Sequence, residues 1–304
     1  MWSLIAMPTE AIRRRLRISL RTTMLVIVVV AIWLSWNVNR AREQHEAVAA
    51  VQKHGGWVHY DYEFVNGKLT SGQSPWAPRW LRRLLGDEFF RHVSQVSLVY
   101  DQSTGKRFDN ANVLPCDDVL ARICRLPSLK SLLLKETQAT DEGLRHIGKI
   151  TGLEELYIWD AKSVTDAGVS HLASLKNLKN IHINRSKLTD EGLALLSSLP
   201  KIETLSLQEN HFTDAGLARL AGRGSLKNLY IGLGDGHITD SGIAHLIQFT
   251  NLEVLDLQKS QVTARGLEQL RPLSKLKQLW LSKTGVSDTE KQAMRQANPT
   301  LTIK

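Results

Sequence analysis

Two cysteines, a row of histidines and scattered acidic residues are the side chains through which this 304-residue chain could do bond chemistry. In LPCDDVLARICRL, Pro115 and the two aspartates mark a helix start. One helix would hold the backbones of Cys116 and Cys124 about 12 Å apart, beyond the roughly 7 Å that a disulfide accepts. Two buried or partly buried thiols are therefore expected, and no metal ligand stands beside them. His146, His171 and His245 recur at one repeat position, but Leu195 and Arg219 interrupt the row, so solvent-facing histidines are expected there and no chelate. Thr104-Gly105-Lys106 lacks the rest of a phosphate loop. Asp235, between two glycines, reads as a turn. No Ser/His/Asp or paired-carboxylate arrangement stands out. The expectation is no catalytic residue, no metal site and no cofactor.

A site for binding is better written. Two rows of residues alternate with strand leucines: Leu133, Tyr157, His182, Ser206, Tyr230, Asp256 and Trp280, then Lys135, Trp159, Asn184, Gln208, Gly232, Gln258 and Ser282. Tyr157, Trp159, Tyr230 and Trp280 are large amphipathic side chains at positions expected to be exposed, and such residues serve as interface anchors. Glu155, His182 and Asn184 supply a polar surround, and Gln208 and Asp256 complete the candidate set. Ordinary cross-strand packing of aromatics is the competing reading.

The elements that position these rows follow from a repeat. LTDEGLALLSSLPKI restates VTDAGVSHLASLKNL about one unit later. An LxxLxL pattern begins at Leu129, Leu153, Leu178, Ile202, Leu226, Leu252 and Leu276, in steps of 24, 25, 24, 24, 26 and 24. A period in the twenties with this pattern predicts one short strand and one helix per turn of a solenoid. No unit can bury its apolar side alone. After each strand come Thr-Asp and then a glycine, as at Thr140-Asp141, Thr165-Asp166, Thr189-Asp190, Thr213-Asp214 and Thr239-Asp240. Hydroxyl and carboxylate at that place suit the free amides and positive end of a starting helix. Thr263-Ala264 loses the aspartate, and Ser287-Asp288-Thr289-Glu290 has capping-box spacing. One extra residue precedes Val164, and two widen GLGDGH at Gly232 to His237.

From about Val93 to Ile303 these units resemble leucine-rich repeat proteins of the ribonuclease-inhibitor-like superfamily, nearest the F-box-type subclass with units TDxGLxxLxxLxxLxxLxL. The resemblance implies an α/β horseshoe, a right-handed solenoid whose strand row lines a concave binding face. Two departures stand out. The position that often carries Asn or Cys holds Thr137, Ala161, Ser186, Asn210, Gly234, Ser260 and Thr284, so a continuous asparagine ladder is absent. No F-box segment precedes the repeats, so the resemblance carries no ubiquitin-ligase adaptor role.

Charge separates the leader from the repeats. The formal charge is +9, of which residues 1–54 carry +5 and the remainder +4. That placement points to a membrane before nucleic acid. Thr22 to Trp36 is an uncharged run preceded by Arg13, Arg14, Arg15, Arg17 and Arg21, with Trp33 and Trp36 as interfacial anchors. No small-residue cleavage site follows closely, so an uncleaved signal anchor is expected, similar to bacterial membrane-anchored members of the superfamily.

The expected organisation is 1–21 basic cytoplasmic N-terminus, 22–38 transmembrane anchor, 39–56 juxtamembrane stalk, 57–92 N-terminal cap and 93–304 repeats. In the cap, Val58, Tyr60, Tyr62 and Phe64 alternate before an Asn66-Gly67 hairpin turn, and Pro78 to Phe90 reads as one amphipathic helix with Trp80, Leu81, Leu84 and Leu85 in the core. A sharper alternative puts Arg79, Arg82, Arg83 and Arg91 on anionic lipid. The functional expectation is a non-catalytic scaffold in the cytoplasmic (inner) membrane, single-pass with the N-terminus inside and the repeats outside. Its concave face takes a protein partner; an envelope carbohydrate or glycopeptide, or a structural envelope role, is the alternative.

Overall fold

The computed structural model describes residues 20–65, 68–70, 74–99, 116–220, 224–234 and 237–304. The basic leader before Leu20, the Asn66-Gly67 turn, Thr104-Gly105-Lys106, Pro115 and Asp235 lie outside these residues.

Helix α1 runs unbroken from Leu20 to Lys53. It is long and apolar enough to cross a membrane, and no residue of its apolar window is buried. Its second half differs in kind: Ala47 and Val51 are fully buried, and Val48 nearly so. Gln44 donates to the Arg91 carbonyl at 3.1 Å and accepts from the Val93 amide at 3.3 Å. Of the two forms expected for Arg40 to Lys53, a stalk or a continuation of the anchor helix, the structure has the continuous helix, packed through alanine and valine positions that share one face.

The cap also departs from the alternating strand expected over Val58 to Phe64. Strand β1 (Trp57–Tyr60) ends where a 3-10 turn, Asp61–Glu63, is closed by the Glu63 carboxylate accepting from the Tyr60 amide at 3.1 Å. Beyond it, β2 (Phe64–Val65) pairs antiparallel with β3 (Lys68–Leu69). Helix α2 spans only Arg79–Leu85 and stops at Gly86, whose φ of 84° only glycine adopts cheaply. A separate 3-10 turn follows at Asp87–Phe89. Trp80 and Leu84 are 67% and 73% exposed and are not the core residues expected.

One ten-stranded sheet then carries the repeats. Strand β1 pairs antiparallel with β4 (Val93–Val99), covering one edge. From β4 onward pairing is parallel, through β5 (Ser131–Lys135), β6 (Glu155–Trp159), β7 (Asn180–Ile183), β8 (Thr204–Ser206), β9 (Asn228–Tyr230), β10 (Val254–Asp256), β11 (Gln278–Trp280) and β12 (Thr302–Ile303). Helices α3 (Asp117–Ile123), α4 (Asp141–Ile147), α5 (Asp166–Ser170), α6 (Asp190–Leu196), α7 (Asp214–Leu220), α8 (Asp240–Leu246), α9 (Ala264–Gln269) and α10 (Asp288–Ala297) alternate with them. The strand leucines, such as Leu132, Leu156, Ile181, Leu229 and Leu255, are fully buried, as are Leu144, Leu193 and Leu217 on the helices. Each such side chain contributes about 1.5–3 kcal/mol. Cys116 and Cys124 are free thiols at the two ends of α3, and burial pushes the Cys116 thiol up to about 12.

The Thr-Asp-x-Gly phrase proves to be a joint between units. Each threonine caps its own helix; the Thr189 hydroxyl, for example, accepts from the Glu191 amide at 3.3 Å. The aspartate does not cap its own helix as expected. It reaches the next unit, where Asp166 accepts from both the amide of Thr189 at 3.0 Å and its hydroxyl at 2.6 Å. The same pair of bonds links Asp117 to Thr140, Asp141 to Thr165, Asp190 to Thr213, Asp214 to Thr239 and Asp240 to Thr263. A Cβ on Gly192 would overlap the Asp166 carboxylate, and Gly143, Gly168, Gly216, Gly242 and Gly266 meet the preceding aspartate in the same way. Glycine is needed so that a carboxylate can lie against a backbone.

The strand-to-helix turn has its own repeated feature. Glu136, Asp160, Arg185, Glu209, Leu233, Lys259 and Lys283 all hold φ between 55° and 66°. The amides of Glu136, Arg185, Glu209, Leu233 and Lys259 extend the ladder beyond the strands, as when the Glu209 amide donates to the Gly232 carbonyl.

Candidate functional site on the strand face

Parallel register fixes the outward rows. Leu133, Tyr157, His182, Ser206, Tyr230, Asp256 and Trp280 are paired in succession across the sheet. Neighbouring strands lie about 4.8 Å apart, so side chains in a row touch.

Near the cap, the row forms an aromatic cluster. The Tyr157 ring lies 4.5 Å from His182 and 6.0 Å from Trp159, centroid to centroid. Glu155 accepts from the Asn180 amide group at 3.1 Å. Burial raises the Tyr157 phenol and Glu155 adds to it, while a hydrogen bond to Asn180 opposes them. Burial lowers the His182 imidazole to about 4, so it is neutral at physiological pH. The His182 imidazole has no hydrogen bond to a described residue and no carboxylate to orient it as a general base.

Further along, a second cluster closes on itself. The rings of Tyr230 and Trp280 meet at 5.8 Å although their strands are separated by β10. They lean across the intervening Asp256, which is fully buried, contrary to its expected exposure. The carboxylate accepts from the Gln208 side chain at 2.5 Å and the Gln258 amide at 2.9 Å. Burial raises the Asp256 carboxyl, and those two bonds oppose the shift. Gly232 makes room, since a Cβ there would stand 2.5 Å from the same carboxylate. The chain of bonds continues through Asn184, whose carbonyl accepts from Ser206 at 3.1 Å and from the Gln208 amide at 3.0 Å. The indole nitrogen of Trp280 is buried and donates to no described atom.

The nine expected residues therefore form two groups. Glu155, Tyr157, Trp159 and His182 make an amphipathic patch with half-buried rings. Asn184, Gln208, Tyr230, Asp256 and Trp280 make a hydrogen-bonded strip under an aromatic cover. Neither group aligns a nucleophile with a base. Among the described residues, no three His, Cys, Asp or Glu side chains gather as a metal site. His171 is exposed, whereas His146 and His245 are partly buried, and His146 lies 3.1 Å from Glu142.

Sequence reading missed a neighbouring row. Lys130, Glu154, Lys179, Glu203, Lys227, Glu253 and Lys277 alternate in sign along one margin of the sheet. Lys179 and Glu154 meet at 2.6 Å, Lys227 and Glu203 at 2.7 Å, and Lys277 and Glu253 at 2.6 Å. The signal was present one residue after each leading leucine. Exposed pairs of this kind contribute about 0–1 kcal/mol each; their larger effect is to leave the margin nearly neutral. Beside Glu155 a groove also runs toward the cap, lined by Asp61, Phe64, Gln95 and Ser131.

Residues 114–301 match a family described as "leucine-rich repeat region". No curated protein matches the chain. Similar solved structures include an internalin (inlF) from Listeria monocytogenes, 22% identical over 60% of this chain and 56% of that one, with a TM-score of 0.47. An internalin C2 (inlC2) from the same organism is 20% identical over 70% of this chain and 81% of that one, with a TM-score of 0.48. The Leptospira interrogans LRR protein LIC12759 is 16% identical over 60% of this chain and 56% of that one, at 0.36.

Proposed function

Because the chain belongs to the leucine-rich repeat family, we propose that it is a non-catalytic, membrane-anchored scaffold whose strand face, the concave side of a horseshoe, binds a protein partner. The observation that carries this reading is the Tyr157, Trp159 and His182 cluster, half-buried rings held in fixed positions beside Glu155 and Asn180. Aromatic anchors already ordered by their neighbours lose little freedom on binding. The alternating Lys and Glu row beside them argues against nucleic acid, which needs a basic surface. The joints built from Thr-Asp-x-Gly support the ribonuclease-inhibitor-like, F-box-type subclass.

The unburied apolar window of α1 supports a single-pass anchor. The arginines that precede it support an N-terminus inside and repeats outside the cytoplasmic membrane, under the positive-inside rule. A second reading takes a carbohydrate, since the Asn180 amide is bonded beside the Tyr157 ring, and Asn184 and Gln208 carry further amide groups along the same strand face.

Affinity capture by the full chain from solubilised native envelope, against its Tyr157→Ala/Trp159→Ala form, tests the site. A protein retained only by the unaltered chain supports the reading, and a glycan retained on the same terms supports the second. Equal capture by both forms sinks the strand face as the binding surface. Extraction at alkaline pH tests the anchor separately: a chain released from the membrane fraction does not span it.

A further inference from the structure

The short helix α2 carries its largest apolar side chains on its open side. Trp80 and Leu84 are mostly exposed, and Trp76, just ahead of the helix, is 78% exposed. At about 100° per residue, Arg79, Arg83, Trp80 and Leu84 fall on one arc of roughly 140°, and all four are exposed. Leu81 and Arg82 face the cap and are half-buried, with Arg82 near Asp87 at 3.6 Å. Arg79 and Arg83 form no ion pair with a described residue. An arc that mixes indole, leucine and free guanidinium groups has the composition of a membrane-interface helix.

Its position relative to α1 is fixed by ring contacts. Trp33 of α1 meets Phe89 at 5.8 Å, Phe89 meets Phe90 at 5.0 Å, and Phe90 meets Trp76 at 5.6 Å. The cap therefore touches α1 within its apolar run. The span of residues 22–38 that contains it rises about 25 Å at about 1.5 Å per residue, short of the roughly 30 Å of a hydrocarbon core. A span this short draws its flanking elements to the bilayer surface. Trp33 is then at membrane depth, and the rings that continue from it lead to the exposed apolar arc.

We propose that Trp76, Trp80 and Leu84 enter the outer interface of the bilayer that α1 crosses, with Arg79 and Arg83 on lipid phosphates. This seats the solenoid at a fixed attitude on the membrane. It rests on the reading of α1 as a span, and the partner is the lipid surface itself. Guanidinium forks suit phosphate, and each arginine held near an anionic surface shifts docking by about fivefold, from about 1 kcal/mol.

The test uses the full chain in vesicles of phosphatidylcholine and phosphatidylglycerol, in a Cys124→Ser background that leaves only the buried Cys116. Nitroxides are placed singly through Leu84→Cys, Val29→Cys in α1 and Gln296→Cys in α10. The expected result is that Leu84 behaves like Val29, with collisions from lipid-soluble oxygen exceeding those from a water-soluble nickel chelate, while Gln296 shows the reverse. Arg79→Gln and Arg83→Gln should each lower the docked fraction about fivefold in the anionic vesicles. A Leu84 label as aqueous as Gln296, with Val29 in lipid, overturns the docking and leaves the anchor intact. A Val29 label in water overturns both. No change from the arginine variants removes the phosphate contact.

Discussion

Asp190 and Thr213 stand in consecutive repeats, and the carboxylate of one accepts from both the amide at 2.9 Å and the hydroxyl at 2.6 Å of the other. The hydroxyl so engaged accepts in turn from the Ala215 amide at 3.2 Å. One side chain thus orients the cap of the next helix, while Gly216 supplies the space. Stacking and helix initiation are coupled at each joint.

Gly216→Ala should destabilise the array by about 1–3 kcal/mol, the range for overpacking a filled interior. Gly152→Ala, whose Cβ would find only the Pro127 and Leu129 carbonyls at 3.6 and 3.7 Å, is the control and should change little. In denaturant unfolding, Asp190→Ala combined with Gly216→Ala should cost less than the sum of the two single changes, because removing the carboxylate also removes the clash. Strict additivity would show that the two residues do not interact.

His182 gives the fold an acid sensitivity. Its folded pKa of about 4 lies below the usual imidazole value of about 6.5. The stability it contributes is therefore fully present above about pH 6.5 and is lost as pH falls toward 4, on the order of 2–3 kcal/mol across that window. His182→Gln should flatten the stability profile between those values. Ring titration followed by NMR checks the cause directly, and a midpoint near 6.5 would remove it.

Asp256 acts in the opposite sense. Its carboxyl is raised by burial, so the native state holds its proton to higher pH than the unfolded chain does, and stability falls as pH rises from about 3.9 through the raised value. Asp256→Asn keeps an acceptor for the Gln258 amide and removes the titration. Chemical denaturation from pH 3.5 to 7 should show the variant gaining on the native protein as pH rises, and a constant difference would show that Asp256 titrates normally. Gly232→Ala should disturb the same carboxylate and uncouple the Tyr230 and Trp280 rings, read as a change in near-ultraviolet circular dichroism.

Much of this architecture was legible in the residues. The 24- to 26-residue steps locate the seven strands from Ser131 to Trp280, and the threonines mark the helix starts between them. The destination of each aspartate was not legible, because adjacency to threonine suggests one helix start while the true partner lies in the next unit. A correlation between units carries that signal: Ala264 lacks the carboxylate, and the next unit holds Glu290 where the others hold glycine. Likewise Val119 occupies the glycine position of the first unit, which has no described aspartate joint ahead of it. The burial of Asp256 was hidden for another reason. It depends on two rings from strands on either side leaning together, which no pattern along one strand can record. Helix α2 was overextended because the apolar spacing continues past Gly86, whereas the backbone turns there.

The joints between repeats also have a direction. Each earlier unit supplies the carboxylate and each later unit the threonine and the glycine, from Asp117 at the beginning to Gly266 at the end. A unit emerging during synthesis therefore meets an acceptor already in place. Duplication of any internal unit keeps both halves of every joint. The unit that follows Ala264 receives no carboxylate from its predecessor, and α10 closes its own start with the Ser287 and Glu290 capping box. The joint chain is thus polar, and it is interrupted at Ala264, where a self-contained cap replaces the bond between units.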